Sequence, residues 1–268
     1  MAGRLEGRVA IVVGAGQSPG EGVGNGRATA LTFAREGARV LCVDSREESA
    51  AETAGMIRAA GGTAESFRAD VTREEQLAAM VAAAISRWGR LDVLHNNVGV
   101  SLSGGDARLE ELTSEAFDRV TAINLRGTVM ACKHAVPVMR AQKSGAIVNI
   151  SSMAAWTTYP YVAYKATKAA MIAFTEQLAI QNAPFGVRAN VILPGLMNTP
   201  MAVDTRARTF NKPRAEVEAE RDAQVPLRGK MGTGWDVANA ALFLASDEAG
   251  FITGVSLPVD GGSSVRIG

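Results

Sequence analysis

Val9-Ala10-Ile11-Val12-Val13-Gly14-Ala15-Gly16 opens the chain's ordered pattern, and after a loop comes Gly24-Asn25-Gly26-Arg27-Ala28-Thr29-Ala30. Five consecutive apolar residues of strand length, not alternating with polar ones, read as a strand buried on both faces. Such a strand needs helices above and below its sheet, and the second glycine cluster leads into a helical pattern. The same unit recurs along the chain. Short strand-like runs, most of them apolar and β-branched, fall at 9–13, 39–43, 65–69, 91–95, 146–150, 187–192 and 255–259, and helical spacing of apolar residues at 27–35, 74–88, 114–139, 162–181 and 236–245. Strands alternating with helices predict a doubly wound, Rossmann-type α/β fold with a parallel sheet of about seven strands. No linker divides residues 1–268, which read as a single dinucleotide-binding and catalytic domain. One polar stretch at about 200–225 breaks the rhythm and reads as a helical insertion over the sheet edge.

Composition narrows the function. Apolar residues make up 47 % and charged residues 21 %, which excludes a disordered chain. Twenty-eight basic against 27 acidic residues leave a net charge of +1 with no basic stripe, so a nucleic-acid partner is not expected. The first eight residues carry charges where a signal peptide needs an apolar stretch, and no run reaches membrane-spanning length, which together predict a cytoplasmic protein with no membrane contact. Cys42 and Cys132 read as small buried residues. His95 and His134 stand apart from any acidic or Cys cluster, so no metal site is expected.

The glycine clusters suit a chain that turns tightly and lets its backbone approach a pyrophosphate at a helix N-terminus. A tight turn without a ligand would use them too. Gly14, Ser18, Asn25 and Gly26 are the candidates at this end. The second strand closes on Asp44, 18 residues after Gly26, where a carboxylate can accept both hydroxyls of an adenosine ribose. Asp44 would repel a 2′-phosphate, and no Lys or Arg lies between Gly14 and Gly26, so NAD is expected rather than NADP; Arg46 is the residue that could reverse this. Asp70, with Val71, closes the third strand, where it could meet adenine or cap the next helix. Towards the other end, Tyr164 and Lys168 stand four apart on a helical pattern and share a face. An ammonium beside a phenol favours its ionised form, so the pair could pass a proton to or from a carbonyl oxygen.

Set among their neighbours, these residues carry a resemblance. The chain resembles the ordinary branch of the short-chain dehydrogenase/reductase family over essentially its whole length, through Asn96-Asn97-Val98-Gly99, Asn124, Asn149-Ile150-Ser151-Ser152, Tyr164 with Lys168, Pro194-Gly195 followed by Thr199, and Val259-Asp260-Gly261-Gly262. The resemblance implies an NAD-dependent oxidoreductase moving hydride between a secondary alcohol or ketone and the nicotinamide. Tyr164 would be the general acid/base, Lys168 would hold the ribose and lower the tyrosine pKa, and Ser152 would orient the substrate oxygen. Asn124 would hold a relay water, Asn97 and Gly99 would lie along the ribose, and Thr199 with the backbone near Met197 would fix the carboxamide after Pro194 and Gly195. A homotetramer is implied, packed through helices 114–140 and 161–182.

Three departures stand out. Val13 occupies a position where the family usually has Thr, nine residues separate Gly14 from Gly24 where three are usual, and Ser152 lies 12 residues before Tyr164 rather than 13, which leaves Ser151 as an alternative. In the long loop, Ser18 is expected near a phosphate and Glu21 towards the ribose or solvent. Two rival functions remain open. Tyr161 with Lys168 fits the spacing of enoyl reductases, which reduce a carbon–carbon double bond, and a catalytically silent NAD-sensing protein could use the same fold. The pocket is expected to draw on Leu102, Met153, Trp156, Tyr159, Tyr161, Leu196 and Met201, which suits an apolar alcohol or ketone. Arg206, Arg208, Lys212 and Arg214 could instead meet an anionic group, or simply be solvated.

Overall fold

The structure, a computed structural model, describes residues 3–266. Among these, seven strands form one parallel sheet: β1 Val9–Val13, β2 Arg39–Asp44, β3 Thr63–Arg68, β4 Val93–Asn96, β5 Gly145–Ile150, β6 Val187–Pro194 and β7 Ser256–Val259. Their spatial order is β3-β2-β1-β4-β5-β6-β7. The order reverses between β1 and β4, so the connections leaving those two strands diverge and open a crevice at the carboxyl edge. The leader expectation rested partly on Met1 and Ala2, which lie outside the described residues. No described helix is long and apolar enough to cross a membrane.

Alternate residues of each strand feed opposite layers. Ala10, Val12, Val40 and Cys42 pack with Phe33 of helix α1 (Asn25–Arg35), Ala54 and Ile57 of α2 (Glu47–Ala59), and Val237 and Ala241 of the helix at Gly234–Ala245. Val9, Ile11, Leu41 and Val43 pack with Leu77 and Met80 of α3 (Glu74–Trp88) and with residues of the helices at Gly127–Gln142 and Val162–Asn182. In chain order the remaining helices are α4 (Ser114–Thr121), α5 (Gly127–Gln142), α6 (Val162–Asn182), α7 (Asp204–Phe210), α8 (Arg214–Asp222) and α9 (Gly234–Ala245).

Four sequence expectations need correction. Helix α2 was not foreseen, because its buried positions are mostly Ala and Thr, whose apolar signal is faint. The span 114–139 is not one helix, since a widened π turn at Ala122–Arg126 separates α4 from α5 and puts Asn124 at its centre. The insertion is two helices, α7 and α8, with a small core of their own made by Val203, Val217, Val225 and Met231. The third and fourth strands start two residues away from their expected starts, at Thr63 and Val93.

Candidate active site

A cleft of about 1290 Å³ runs along the carboxyl edge of the sheet from Asp44 to Tyr164 and on beneath α7 and α8. Its floor at one end is the glycine turn. Gly14 has φ +82, and a Cβ on Gly26 would stand 1.9 Å from the Gly14 carbonyl oxygen, so the strand-to-helix turn closes only because both side chains are absent. No side chain caps α1, which leaves the N–H groups of its first turn facing the cleft beside Gly24, Asn25 and Gly26. The Asn97 amide donates to the Gly14 carbonyl at 3.1 Å and ties the end of β4 to this turn. An open helix N-terminus, a cradle without side chains and a carboxylate at the end of β2 form a donor and acceptor set that fits a dinucleotide.

Asp44 is built in by the loop it faces. Its carboxylate accepts from the N–H groups of Gly16 (3.1 Å) and Arg46 (3.0 Å). The Arg46 guanidinium is occupied by the Gln17 carbonyl. Asp70 lines the cleft, but it accepts from the N–H and hydroxyl of Thr72. It does not cap α3, whose N-cap position is Arg73.

The long first loop has two halves. Gly16, Gln17, Ser18 and Gly24 line the cleft, and the Gln17 side chain closes the loop by donating to the Gly22 carbonyl and accepting from Gly24 N–H, both at 3.0 Å. Residues 19–22 are exposed and meet the insertion. Arg208 donates to the Pro19 carbonyl at 3.3 Å, the Glu21 N–H donates to Asp204 at 3.4 Å, and Arg214 reaches Glu21 and Asp204. Glu21 itself points towards solvent, 80 % exposed.

At the reaction end, α6 carries Tyr164 and Lys168 on the face turned to the cleft. Asp106, which the sequence reading missed, receives the N–H groups of Ala163 (2.9 Å) and Tyr164 (3.0 Å) together with the Ser101 hydroxyl (3.1 Å). It therefore satisfies the start of α6 from a loop 57 residues away, and only its place after two turn-forming glycines could have drawn attention to it. The Ser152 hydroxyl, which accepts from Ala154 N–H at 3.1 Å, lines the cleft beside Tyr164 and lowers the pKa of its phenol. Ser151 is buried and donates to the Lys168 carbonyl at 2.6 Å, so of the two serines Ser152 is the one that meets the tyrosine. Lys165 holds the Ser152 turn in place by donating to the carbonyls of Ala154 (2.9 Å) and Thr157 (2.6 Å).

The charges at this end have clear causes. Burial pushes the Tyr164 phenol up to about 12, against the opposing influence of the Ser152 hydroxyl. Burial pushes the Lys168 ammonium down to about 8. Lys168 donates to the Ile150 carbonyl at 2.8 Å and lies over the Tyr164 ring, 5.6 Å from its centre, rather than at the hydroxyl. Asn124 is fully buried; its side chain accepts from Val100 N–H (2.7 Å) and donates to the Val100 carbonyl (2.9 Å) and Thr167 (3.2 Å), pinning α4 and α5 to the loop after β4. Gly99 leaves room there, because a Cβ would come within 3.2 Å of Lys168 Nζ.

Among the remaining candidates, Val71, Pro194, Gly195, Met197 and Thr199 all line the cleft. Trp156 is not among the lining residues and is half exposed, which corrects its place in the expected pocket, whereas Leu102, Met153, Tyr159, Tyr161, Leu196 and Met201 do line it. His95 is buried against Phe33 and held neutral, its pKa pushed down to about 3 by burial. Asn96 donates to Asn149 at 2.9 Å and Asn149 to Thr175 at 2.9 Å, so these two motif residues lace β4, β5 and α6 together.

A family profile described as "Enoyl-(Acyl carrier protein) reductase" matches residues 21–264. The chain is 40 % identical, over all of both chains, to a 2,5-dichloro-2,5-cyclohexadiene-1,4-diol dehydrogenase of Sphingobium indicum. The chain belongs to the short-chain dehydrogenase/reductase family. As a short-chain dehydrogenase/reductase it is also 36 % identical to a 3beta-hydroxysteroid dehydrogenase of Eggerthella lenta, covering 98 % of this chain and 96 % of that one. A crystal structure described as a short-chain dehydrogenase/reductase from Burkholderia xenovorans superposes with a TM-score of 0.90 at 42 % identity, covering all of both chains. The protein is thus an oxidoreductase of this type, in a family that generally works with nicotinamide cofactors.

Proposed function

We propose that this short-chain dehydrogenase/reductase is an NAD-dependent dehydrogenase or ketone reductase that acts on a secondary alcohol or its ketone, with Tyr164 as general acid/base. The observation that carries the reading is the single cleft that holds the Tyr164–Ser152 pair over buried Lys168 at one end and Asp44 at the other. A nicotinamide bound there would supply the hydride acceptor or donor. Ser152 would hold the substrate oxygen and Tyr164 would give its proton to that oxygen in reduction, a task suited to a phenol that burial keeps neutral. In oxidation the phenolate form of Tyr164 would be the base that takes the alcohol's proton. Lys168 and Asn97 would bind ribose hydroxyls, Asn124 would hold a relay water, and Thr199 and Met197 would bind the carboxamide.

NAD is favoured because Asp44 opposes a 2′-phosphate and the guanidinium of Arg46, two residues on, is held by the Gln17 carbonyl. A cytoplasmic homotetramer completes the proposal. The second reading, carbon–carbon double-bond reduction, is favoured by the family description and by Tyr161, which lies in the cleft at the N-cap of α6. Following NADH absorbance with a panel of secondary alcohols and ketones tests the first reading. Tyr164→Phe should lower turnover by at least ~100-fold, the worth of a positioned acid/base, and Tyr161→Phe far less. A larger loss from Tyr161→Phe would establish the second reading instead.

A further inference from the structure

Among the described residues, three guanidinium groups without an ion pair line the cleft beyond the nucleotide end; Arg119 reaches the Gly104 carbonyl at 3.5 Å, and the other two come from the insertion. Arg206 on α7 and Arg221 on α8 both line it, together with Tyr159 and Tyr164. Arg206 donates to the Ala202 carbonyl at 2.9 Å, four residues back in its own chain. Arg221 donates to the Met231 thioether at 3.3 Å, a weak acceptor. Among the described residues, neither forms an ion pair within 4 Å, whereas their neighbours do: Lys212 holds Glu216 and Glu220, Arg214 holds Glu218 and Asp204, and Lys230 holds Asp222. A guanidinium offers five donors in a planar fork, so most of the hydrogen-bonding capacity of both residues faces the cleft unspent.

Placing like charges together in a partly closed chamber costs free energy unless an anion joins them. Burial and the charge of Arg206 pull Arg221 down to about 10, and the charge of Arg206 is also felt at Tyr159 and Tyr164, so the two arginines share the chamber of the reactive hydroxyl. The acids nearby are already engaged. Glu220 lines the cleft but is held by Lys212, and Asp106 takes its hydrogen bonds from Ser101, Ala107, Ala163 and Tyr164. A bound dinucleotide has its own place for its pyrophosphate at the open N-terminus of α1. Met153, Leu196, Met201 and Val217 give the chamber apolar wall beside polar residues such as Thr205 and Gln224.

We infer that the substrate is an anionic secondary alcohol or ketone, a hydroxy or oxo carboxylate with an apolar body, whose carboxylate seats between Arg206 and Arg221 while its carbinol carbon faces Tyr164. This rests on the proposed secondary-alcohol or ketone reading of the cleft.

The test uses hydroxypentanoates carrying the secondary hydroxyl on successive carbons, each paired with its methyl ester, followed by NADH formation. For the best-placed isomer the acid should exceed its ester in kcat/KM by ~10-fold or more, the worth of a charge-assisted hydrogen bond. Arg206→Gln and Arg221→Gln should each raise KM for the acid by a similar factor, with a smaller change in kcat, and erase the preference for acid over ester. Esters used as well as acids throughout, or a preference that survives both variants, would overturn the inference. Calorimetric titration with pentanoate and with pentanamide, with and without NADH, reads the subsite without turnover. If no alcohol is oxidised yet pentanoate still binds at least ~10-fold tighter than the amide, the secondary-alcohol reading falls and the anion site stands. If alcohols are oxidised and the amide binds equally well, the anion site falls alone. Should Arg221→Gln fail to fold by circular dichroism, Arg206→Gln, on a partly exposed turn of α7, decides the matter.

Discussion

Lys168 shows how one residue sets function against stability. It is 2 % exposed with no carboxylate beside it, and the folded protein holds its pKa at about 8 against 10.5 for an ordinary lysine. Below about pH 8 both folded and unfolded chains carry the charge, and the folded state bears the full cost of burying it, ~3 kcal/mol for a shift of this size. Between pH 8 and 10.5 the unfolded chain keeps a proton that the folded chain has released, so this contribution makes the fold more stable as pH rises. Lys168→Met should therefore raise the melting temperature relative to the parent below pH 8 and lose that advantage towards pH 10.5, while turnover collapses. Melting curves across pH would refute this if the difference did not depend on pH.

Asp44 acts at the same scale but through its neighbours. The carboxylate is aimed by Gly16 and Arg46 N–H groups, and the Arg46 side chain is turned to Gln17. Steady-state kinetics should show NAD preferred, and Asp44→Ala should narrow the gap by weakening NAD and removing repulsion of a 2′-phosphate. Equal use of NADP by the parent would show that Arg46 leaves Gln17 to meet the phosphate. Among residues, the sequence made Tyr164, Lys168 and Asp44 visible because each sits in a local pattern. Asp106 was hidden, since its partners are 57 and 58 residues further on, and Arg221 was hidden within an acidic-basic helix that reads as solvated.

At the scale of elements, the first loop and the insertion form one structure. Taken alone, the loop at 15–23 could be a phosphate cover or a plain surface excursion. The fold gives each half a different neighbour: Gly16–Ser18 face the cleft, and residues 19–22 join α7 and α8 through Arg208, Asp204 and Arg214. Shortening the loop to three residues should remove one or two hydrogen bonds to a charged group, each worth ~1.5–3 kcal/mol. NAD affinity should drop by about tenfold or more, with a smaller effect on hydride transfer in the saturated enzyme. Because the insertion loses its ties, protease cleavage within 198–224 should accelerate as well. Unchanged affinity with faster cleavage would assign the loop to the insertion alone.

Across the whole molecule, the apolar surface left outside the sheet and its layers bears on assembly. Phe117 on α4 and Ile180 on α6 are 41 % and 69 % exposed, on the helices expected at a symmetry interface, and Phe251 ahead of β7 is fully exposed. Exposed apolar residues of this kind suit burial in the isologous contacts of a tetramer. Sedimentation should give four times the chain mass, and Phe251→Asp should shift the particle towards dimers. A monomer in the parent protein would refute the assembly.

The alternation of buried strands with amphipathic helices, the glycine turn, Asp44 and the Tyr164–Lys168 spacing are all local, and sequence by itself determined the doubly wound sheet and the two ends of its cleft. Their signals need only neighbours within a turn or a strand. Which serine meets Tyr164, where Arg46 turns, how the long loop is anchored and which arginines of the insertion remain without a counter-charge depend on groups tens to nearly two hundred residues apart. Only the tertiary structure decided these, because a hydrogen bond or ion pair between distant segments exists only once the sheet has brought their connections to one edge.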